Sequence, residues 1–114
     1  MPNYKDCLSA LLPIRDALEV INGKWKLLIL VSIGVGNHRF REIQRSIPDL
    51  STKVLAKELK DLEENGLIKR TVDDGYPVTI TYTALPYAET LGSVIEALKN
   101  WGVQHREHIM GTVS

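Results

Sequence analysis

Cysteine is almost missing from this 114-residue sequence, in which Cys7 stands alone. A single cysteine excludes an internal disulfide and a cysteine-rich zinc site, and it fits an intracellular, reducing compartment. Long apolar runs are missing as well. The most apolar stretch, Leu27 to Ile33, is far short of the ~18 residues that a membrane span needs, so no membrane partner is expected. Met1 to Asp6 have neither the apolar centre nor the cleavage site of a signal peptide, and the expected location is the cytoplasm. No glycine-rich phosphate loop, nucleophile elbow or paired acid/base motif occurs, so there is no catalytic residue to assign and no cofactor is expected. Of the histidines His38, His105 and His108, only the last two are close in sequence, and two ligands do not make a metal site. Net charge is absent too, because 14 Lys+Arg balance 14 Asp+Glu.

What is present is an ordinary soluble composition, 44% apolar and 25% charged, in a length that suits one domain over residues 1–114. The balanced charge is unevenly placed. Residues 22–70 hold ten bases against six acids, whereas residues 1–21 and 71–114 are each net acidic. That pattern is either one face aimed at a polyanion or an ordinary fluctuation.

Leu11, Ile14, Leu18 and Ile21 recur at helical spacing between Leu8 and Ile21, with Pro13 as a kink or a first-turn proline. Asn22-Gly23 ends that helix. Lys24 to Ile33 is apolar almost all round, the pattern of a central buried helix, and Gly34 and Gly36 break it. Arg39 to Ile47 turns Phe40, Ile43 and Ile47 inward and Arg41, Gln44 and Arg45 outward. Pro48-Asp49 makes a turn, and Ser51 is an N-cap for a helix from Thr52 to about Asn65. That helix has Leu55, Leu59 and Leu62 inside, Lys53, Lys57 and Lys60 outside, and Asp61, Glu63 and Glu64 at its far end. The period then changes to two. Leu67–Val72 and Val78–Tyr82, separated by Asp73-Asp74-Gly75-Tyr76-Pro77, predict a hairpin with Tyr76 exposed at its tip. Pro86 opens a last helix carrying Leu91, Val94, Ile95, Leu98 and Trp101 on one side. Trp25 and Trp101 are expected to fill core or interface.

Two helices joined by a tight turn, the second basic outside, and then a hairpin are the parts of a winged helix-turn-helix, a mainly α fold with a β-hairpin wing. A helix fits the major groove of double-stranded DNA. The candidate DNA-binding residues are Arg39, Arg41, Arg45, Ser51, Thr52, Lys53, Lys57, Lys60 and Arg70. Thr52 and Lys53 are expected near base edges, and Arg41, Arg45 and Lys57 on phosphates. The alternative is a winged-helix module for protein–protein contact, which the neutral total charge favours.

Four ordered motifs sharpen this reading. They are Asn22-Gly23-Lys24-Trp25-Lys26-Leu27-Leu28-Ile29-Leu30; Gly36 followed by Arg39-Phe40-Arg41-Glu42-Ile43; Ile47-Pro48 followed by Leu50-Ser51, Lys53 and Leu55; and Leu59-Lys60 followed by Leu62-Glu63, Gly66-Leu67-Ile68 and Arg70. Together with Trp101-Gly102 and His105 they resemble the HxlR family of MarR-like winged-helix transcriptional regulators, over Pro13 to His105. The resemblance implies a homodimer on a pseudo-palindromic operator, with the helix after Ser51 as recognition helix and the hairpin as wing. It implies a dimer interface from the first and last helices, here Leu91, Ile95, Leu98 and Trp101. It also implies regulation by a redox signal or a ligand. Two positions depart from the family pattern. Thr79 stands about where the wing usually has an arginine, next to the acidic turn. Leu12 stands where many members place a redox-sensing cysteine before the proline, which leaves Cys7 as either the sensor from a longer arm or an inert thiol.

Overall fold

A computed structural model of the protein describes residues 8–111. In chain order it has α1 (Leu11–Val20), α2 (Lys26–Gly34), α3 (Phe40–Ser46), α4 (Thr52–Glu64), β1 (Ile68–Asp73), β2 (Thr79–Ala84), a 3₁₀ segment (Pro86–Leu91) and α5 (Gly92–Ile109). The order is that of a winged helix-turn-helix. Pro13 lies in the first turn of α1, where a missing N–H has no intrahelical partner to lose, so Leu11 and Leu12 belong to the helix. Gly23, at φ 82°, turns the chain toward α2.

The core is built on α2. Its Ile29, Leu30 and Ile33 meet Ile43 and Ile47, Leu50 from the turn, Leu55, Leu59 and Leu62 of α4, and Leu67, Ile68 and Tyr82 at the hairpin root. The inner stripes expected of α3 and α4 are therefore the observed ones, although Phe40 is only half-buried. The expectation of an α2 buried all round needs correction. Leu28, Val31 and Val35 on its other side are exposed, while the charged Lys26 is only 3% exposed. Leu28 and Val31 line an open apolar groove with Ile95 and Leu98 of α5.

Local chemistry fixes both ends of α4. Ser51 Oγ accepts a hydrogen bond from the Val54 N–H at 3.2 Å. At the other end Leu67 N bonds Leu62 O and Gly66 N bonds Glu63 O, each at 3.0 Å, with Gly66 at φ 73°. This Schellman closure, with Leu62 and Leu67 both buried, turns the chain directly into β1. The strands pair antiparallel from Ile68↔Ala84 to Asp73↔Thr79, so β2 begins and ends later than its apolar run suggests.

Pro86 does not open one continuous helix. It starts the 3₁₀ segment, whose three-residue turn puts Ala88 and Leu91 on one side, against the core. The α-helix begins only at Gly92. Neither α1 nor α5 contributes a buried residue, and Leu11, Leu12, Ile14, Leu18, Leu98, Trp101 and Val103 are all at least half exposed. The radius of gyration is 17.1 Å, against ~13 Å for a compact chain of this length. The accessible surface is 8670 Å², about 2,400 Å² above the ~6,300 Å² expected for its mass.

Leu59→Ala removes a fully packed side chain from the inner stripe of α4 and is expected to cost about 2–5 kcal/mol. Lys60→Ala, on the exposed side, is expected to be near neutral. Chemical denaturation of both variants measures the difference, and equal midpoints would mean that α4 is rotated about its axis.

Candidate nucleic-acid interface

Short contacts set the angle between α3 and α4. Leu50 is buried in the connecting turn, and Asp49 takes a left-handed φ of 66°. Gln44 Nε2 donates to Leu50 O at 3.2 Å and to Thr52 Oγ1 at 3.1 Å, which joins α3 to the first residue of α4. The Glu42 carboxylate accepts from the backbone N–H groups of Arg39 and His38, both at 3.1 Å. These bonds, with Arg39's the stronger influence, hold the Glu42 pKa below its ordinary value.

The hairpin is fastened to this pair of helices by His38. Its Nδ1 lies 3.0 Å from Tyr82 O, and since a carbonyl only accepts, the Nδ1–H donates. In return Tyr82 N–H donates to His38 O at 2.7 Å. Sequence reading missed this role, because a bond to a backbone carbonyl 44 residues away leaves no spacing signal.

All nine candidate DNA-binding residues are exposed. Among the described residues, Arg39, Arg41, Arg45, Lys53, Lys60 and Arg70 have no carboxylate within ion-pair distance. Lys60 and Arg70 line one shallow groove between α4 and the hairpin, beside Glu63. The hydroxyls of Ser51 and Thr52 are already engaged, by Val54 N–H and by Gln44. Lys57 differs from the other cations. Its Nζ is 3.1 Å from Asp61 Oδ2 and 3.7 Å from Glu58 Oε1. The hydrogen bond to Asp61 raises the Lys57 pKa and lowers that of Asp61.

Behind Lys57 lies a base that sequence reading counted only toward the charge of residues 22–70. The Lys26 ammonium is buried and sits 2.8 Å from Glu58 Oε2 and 3.3 Å from Asp61 Oδ2. Glu58 was missed with it. The available signal was a glutamate on the leucine-lined side of α4, one position before Leu59.

The wing tip has the opposite charge. No Lys or Arg occurs between Arg70 and Lys99, while Asp73 and Asp74 stand at the turn. Asp73 Oδ1 accepts from Gly75 N–H at 2.9 Å, and Tyr76 is fully exposed. Of the candidate interface residues, Leu91 is partly buried against the chain's own core and Ile95 is half-buried, whereas Leu98 and Trp101 are exposed. Trp101 stacks on His105, with ring centroids 4.8 Å apart. Trp25 packs against the core and carries Lys24 Nζ over its ring at 4.8 Å. Among the described residues no cluster of three or more His, Cys, Asp and Glu is placed to hold a metal, and no helix is long and apolar enough to cross a membrane. Cys7 lies outside the described residues.

Known proteins are similar to this chain in sequence and in fold. A family described as HxlR-like helix-turn-helix matches residues 20–110. The HTH-type transcriptional regulator YtcD of Bacillus subtilis (strain 168) is 34% identical over 98 residues, which span 86% of this chain and 78% of YtcD. A crystal structure of a ytcD regulator superposes with a TM-score of 0.77 at 34% identity, covering 82% of this chain and 96% of that one. The redox regulator HypR in its reduced form superposes with a TM-score of 0.76 at 30% identity, covering 87% and 98% of the two chains.

Proposed function

The chain belongs to the HxlR-like helix-turn-helix family and is a transcriptional regulator, not an enzyme, and on that premise we propose that it binds a pseudo-palindromic DNA operator as a homodimer. The observation that carries the DNA reading is the set of unpaired, exposed cations on α3 and the start of α4, in a chain whose total charge is zero. Evenly scattered charge would leave no such face. Thr52 and Lys53, one residue past the N-cap and the next, are assigned to base edges in the major groove. Arg39, Arg41, Arg45, Lys60 and Arg70 are assigned to phosphates. Lys57 already shares its charge with Asp61 and Glu58, so it contributes less than its neighbours. The acidic wing tip adds little.

The dimer reading rests on α1 and α5, most of whose apolar side chains stay exposed in a single chain. The ~2,400 Å² of surplus surface per chain suits an obligate homodimer, a class that buries ~2,000–5,000 Å² in total. Ile95, Leu98 and Trp101 of α5, with Leu11, Ile14 and Leu18 of α1, supply the contact. Leu91 contributes less, because part of it already faces the core. Twofold symmetry then sets two α4 helices on half-sites about one DNA turn, ~34 Å, apart.

Regulation through Cys7 is the further part of the reading, supported by the likeness to a redox regulator. With one cysteine per chain, oxidation links two chains or caps the thiol with a small thiol.

Three outcomes are expected. Arg41→Ala and Arg45→Ala should each flatten the plot of log affinity against log salt by about two per dimer, and Lys53→Ala should relax preference at one operator position by ~1–3 kcal/mol. Titration of selected and scrambled duplexes at several salt concentrations reads both effects. Wild-type slopes and preferences in all three variants would favour a protein–protein module instead. Leu98→Glu should give monomer or aggregate by light scattering, and a monomeric wild type at micromolar concentration would remove the two-half-site arrangement. Diamide should change operator affinity in the wild type but not in Cys7→Ser, and equal affinity before and after oxidation would leave Cys7 inert.

A further inference from the structure

We propose that Lys26 is a positioning residue for DNA reading, because its buried ammonium fixes the rotation of α4 against α2. The inference rests on the assignment of α4 to the major groove. Lys26 is the first residue of α2, and its Nζ has three oxygen partners: Asn22 Oδ1 at 3.2 Å, Glu58 Oε2 at 2.8 Å and Asp61 Oδ2 at 3.3 Å. An ammonium has three N–H donors, so the set is complete. Glu58 and Asp61 lie one turn apart on α4, while Asn22 belongs to the connection after α1 and is itself held by its Nδ2 bond to Glu19 O at 3.2 Å. Three acceptors from two sides leave the ammonium one position.

The leucine stripe cannot do this alone. Leu55, Leu59 and Leu62 make contacts without direction, which fix the side of α4 that faces the core rather than its finer rotation. A modest turn of α4 about its axis carries Glu58 away from Lys26 and leaves two opposite charges buried and unpaired, the expensive outcome. A slip of one helical turn, ~5.4 Å, toward the start of α4 puts Val54 or Leu55 in place of Glu58. A buried ion pair adds little net stability compared with apolar side chains of similar size. Its contribution here is a single pose for Thr52 and Lys53. Lys57 completes the cluster from the exposed side, keeping Asp61 neutralised while Lys26 serves mainly Glu58.

The test separates pose from stability. Three variants are compared with the wild type: Lys26→Met, the double variant Lys26→Met/Glu58→Leu, and Asn22→Ala. Each is measured for melting temperature, oligomeric state and affinity for two probes, a duplex that the wild type selects from a random-sequence pool and a scrambled duplex of the same composition. Lys26→Met should melt lower, because Glu58 is left buried without a partner. The double variant should melt at or above the wild type yet lose about tenfold in preference for the selected duplex, with an unchanged salt slope. Asn22→Ala, at an exposed position, should lose about threefold in preference with little change in melting, and it carries the test alone if the double variant does not fold. Wild-type preference in the folded variants overturns the proposal while DNA binding stands, and so does a loss of preference that only follows a loss of melting temperature. A wild type that selects no duplex overturns the DNA reading and this proposal together.

Discussion

Burying Ile29, Leu30 and Ile33 obliges α3, α4 and the hairpin root to close on the same side of α2, and the direction of each exposed cation follows from that closure. With Ile43 on α2, Arg41 and Arg45 have to point outward. With Leu55 and Leu59 inward, Lys53 has to stand on the far side of α4. The hairpin enters through Leu67 and Ile68, directly after the Schellman turn, so its root is placed by the same core. The proposed DNA face is the reverse side of a hydrophobic one.

Polar contacts refine what the apolar core leaves loose. Gln44 joins the two helices of the helix-turn-helix across their turn, His38 joins the hairpin to the segment before α3, and Lys26 joins α2 to α4. A chain of donors does similar work between α2 and the C-terminal end of α3: Ser46 Oγ donates to Ile43 O, Ser32 Oγ donates to Ser46, and Asn37 Nδ2 donates to Ser32. The acids late in α4 take on a new meaning in this light. Acidic side chains near a helix C-terminus oppose its dipole, at a cost of tenths of a kcal/mol. Asp61 offsets that cost by meeting Lys26 and Lys57, whereas Glu63 and Glu64 have no such partner among the described residues.

Most of the fold was legible because its elements obey simple periods. The stripes on α3 and α4, the Ser51 cap, the Gly66 stop and the hairpin are where spacing and turn chemistry place them. The second side of α2 was not legible, since Leu28 and Val31 look the same in sequence whether they meet the chain's own core or nothing in it. The 3₁₀ start at Pro86 was hidden for a related reason, as i, i+3 spacing serves both helix types. In the candidate site, exposure of the nine residues could be read, but the pairing of Lys57 and the burial of Lys26 could not. A lysine in sequence carries no mark of the carboxylate 32 positions away that makes its burial tolerable.

The change of helix type at Leu91–Gly92 has a mechanical side. The 3₁₀ segment is seated on the core through Ala88 and Leu91, while α5 leaves it as an 18-residue rod with no buried residue of its own. Such a rod is ~27 Å long, so each degree of bend at its base moves the tip by about half an ångström. If two chains join along their rods, a few degrees at Gly92 alters the spacing of their DNA faces by an ångström or more, with every contact inside each core left intact. In such a dimer the joint would be a lever with its fulcrum against the core, where small forces far from the DNA have their largest geometric effect.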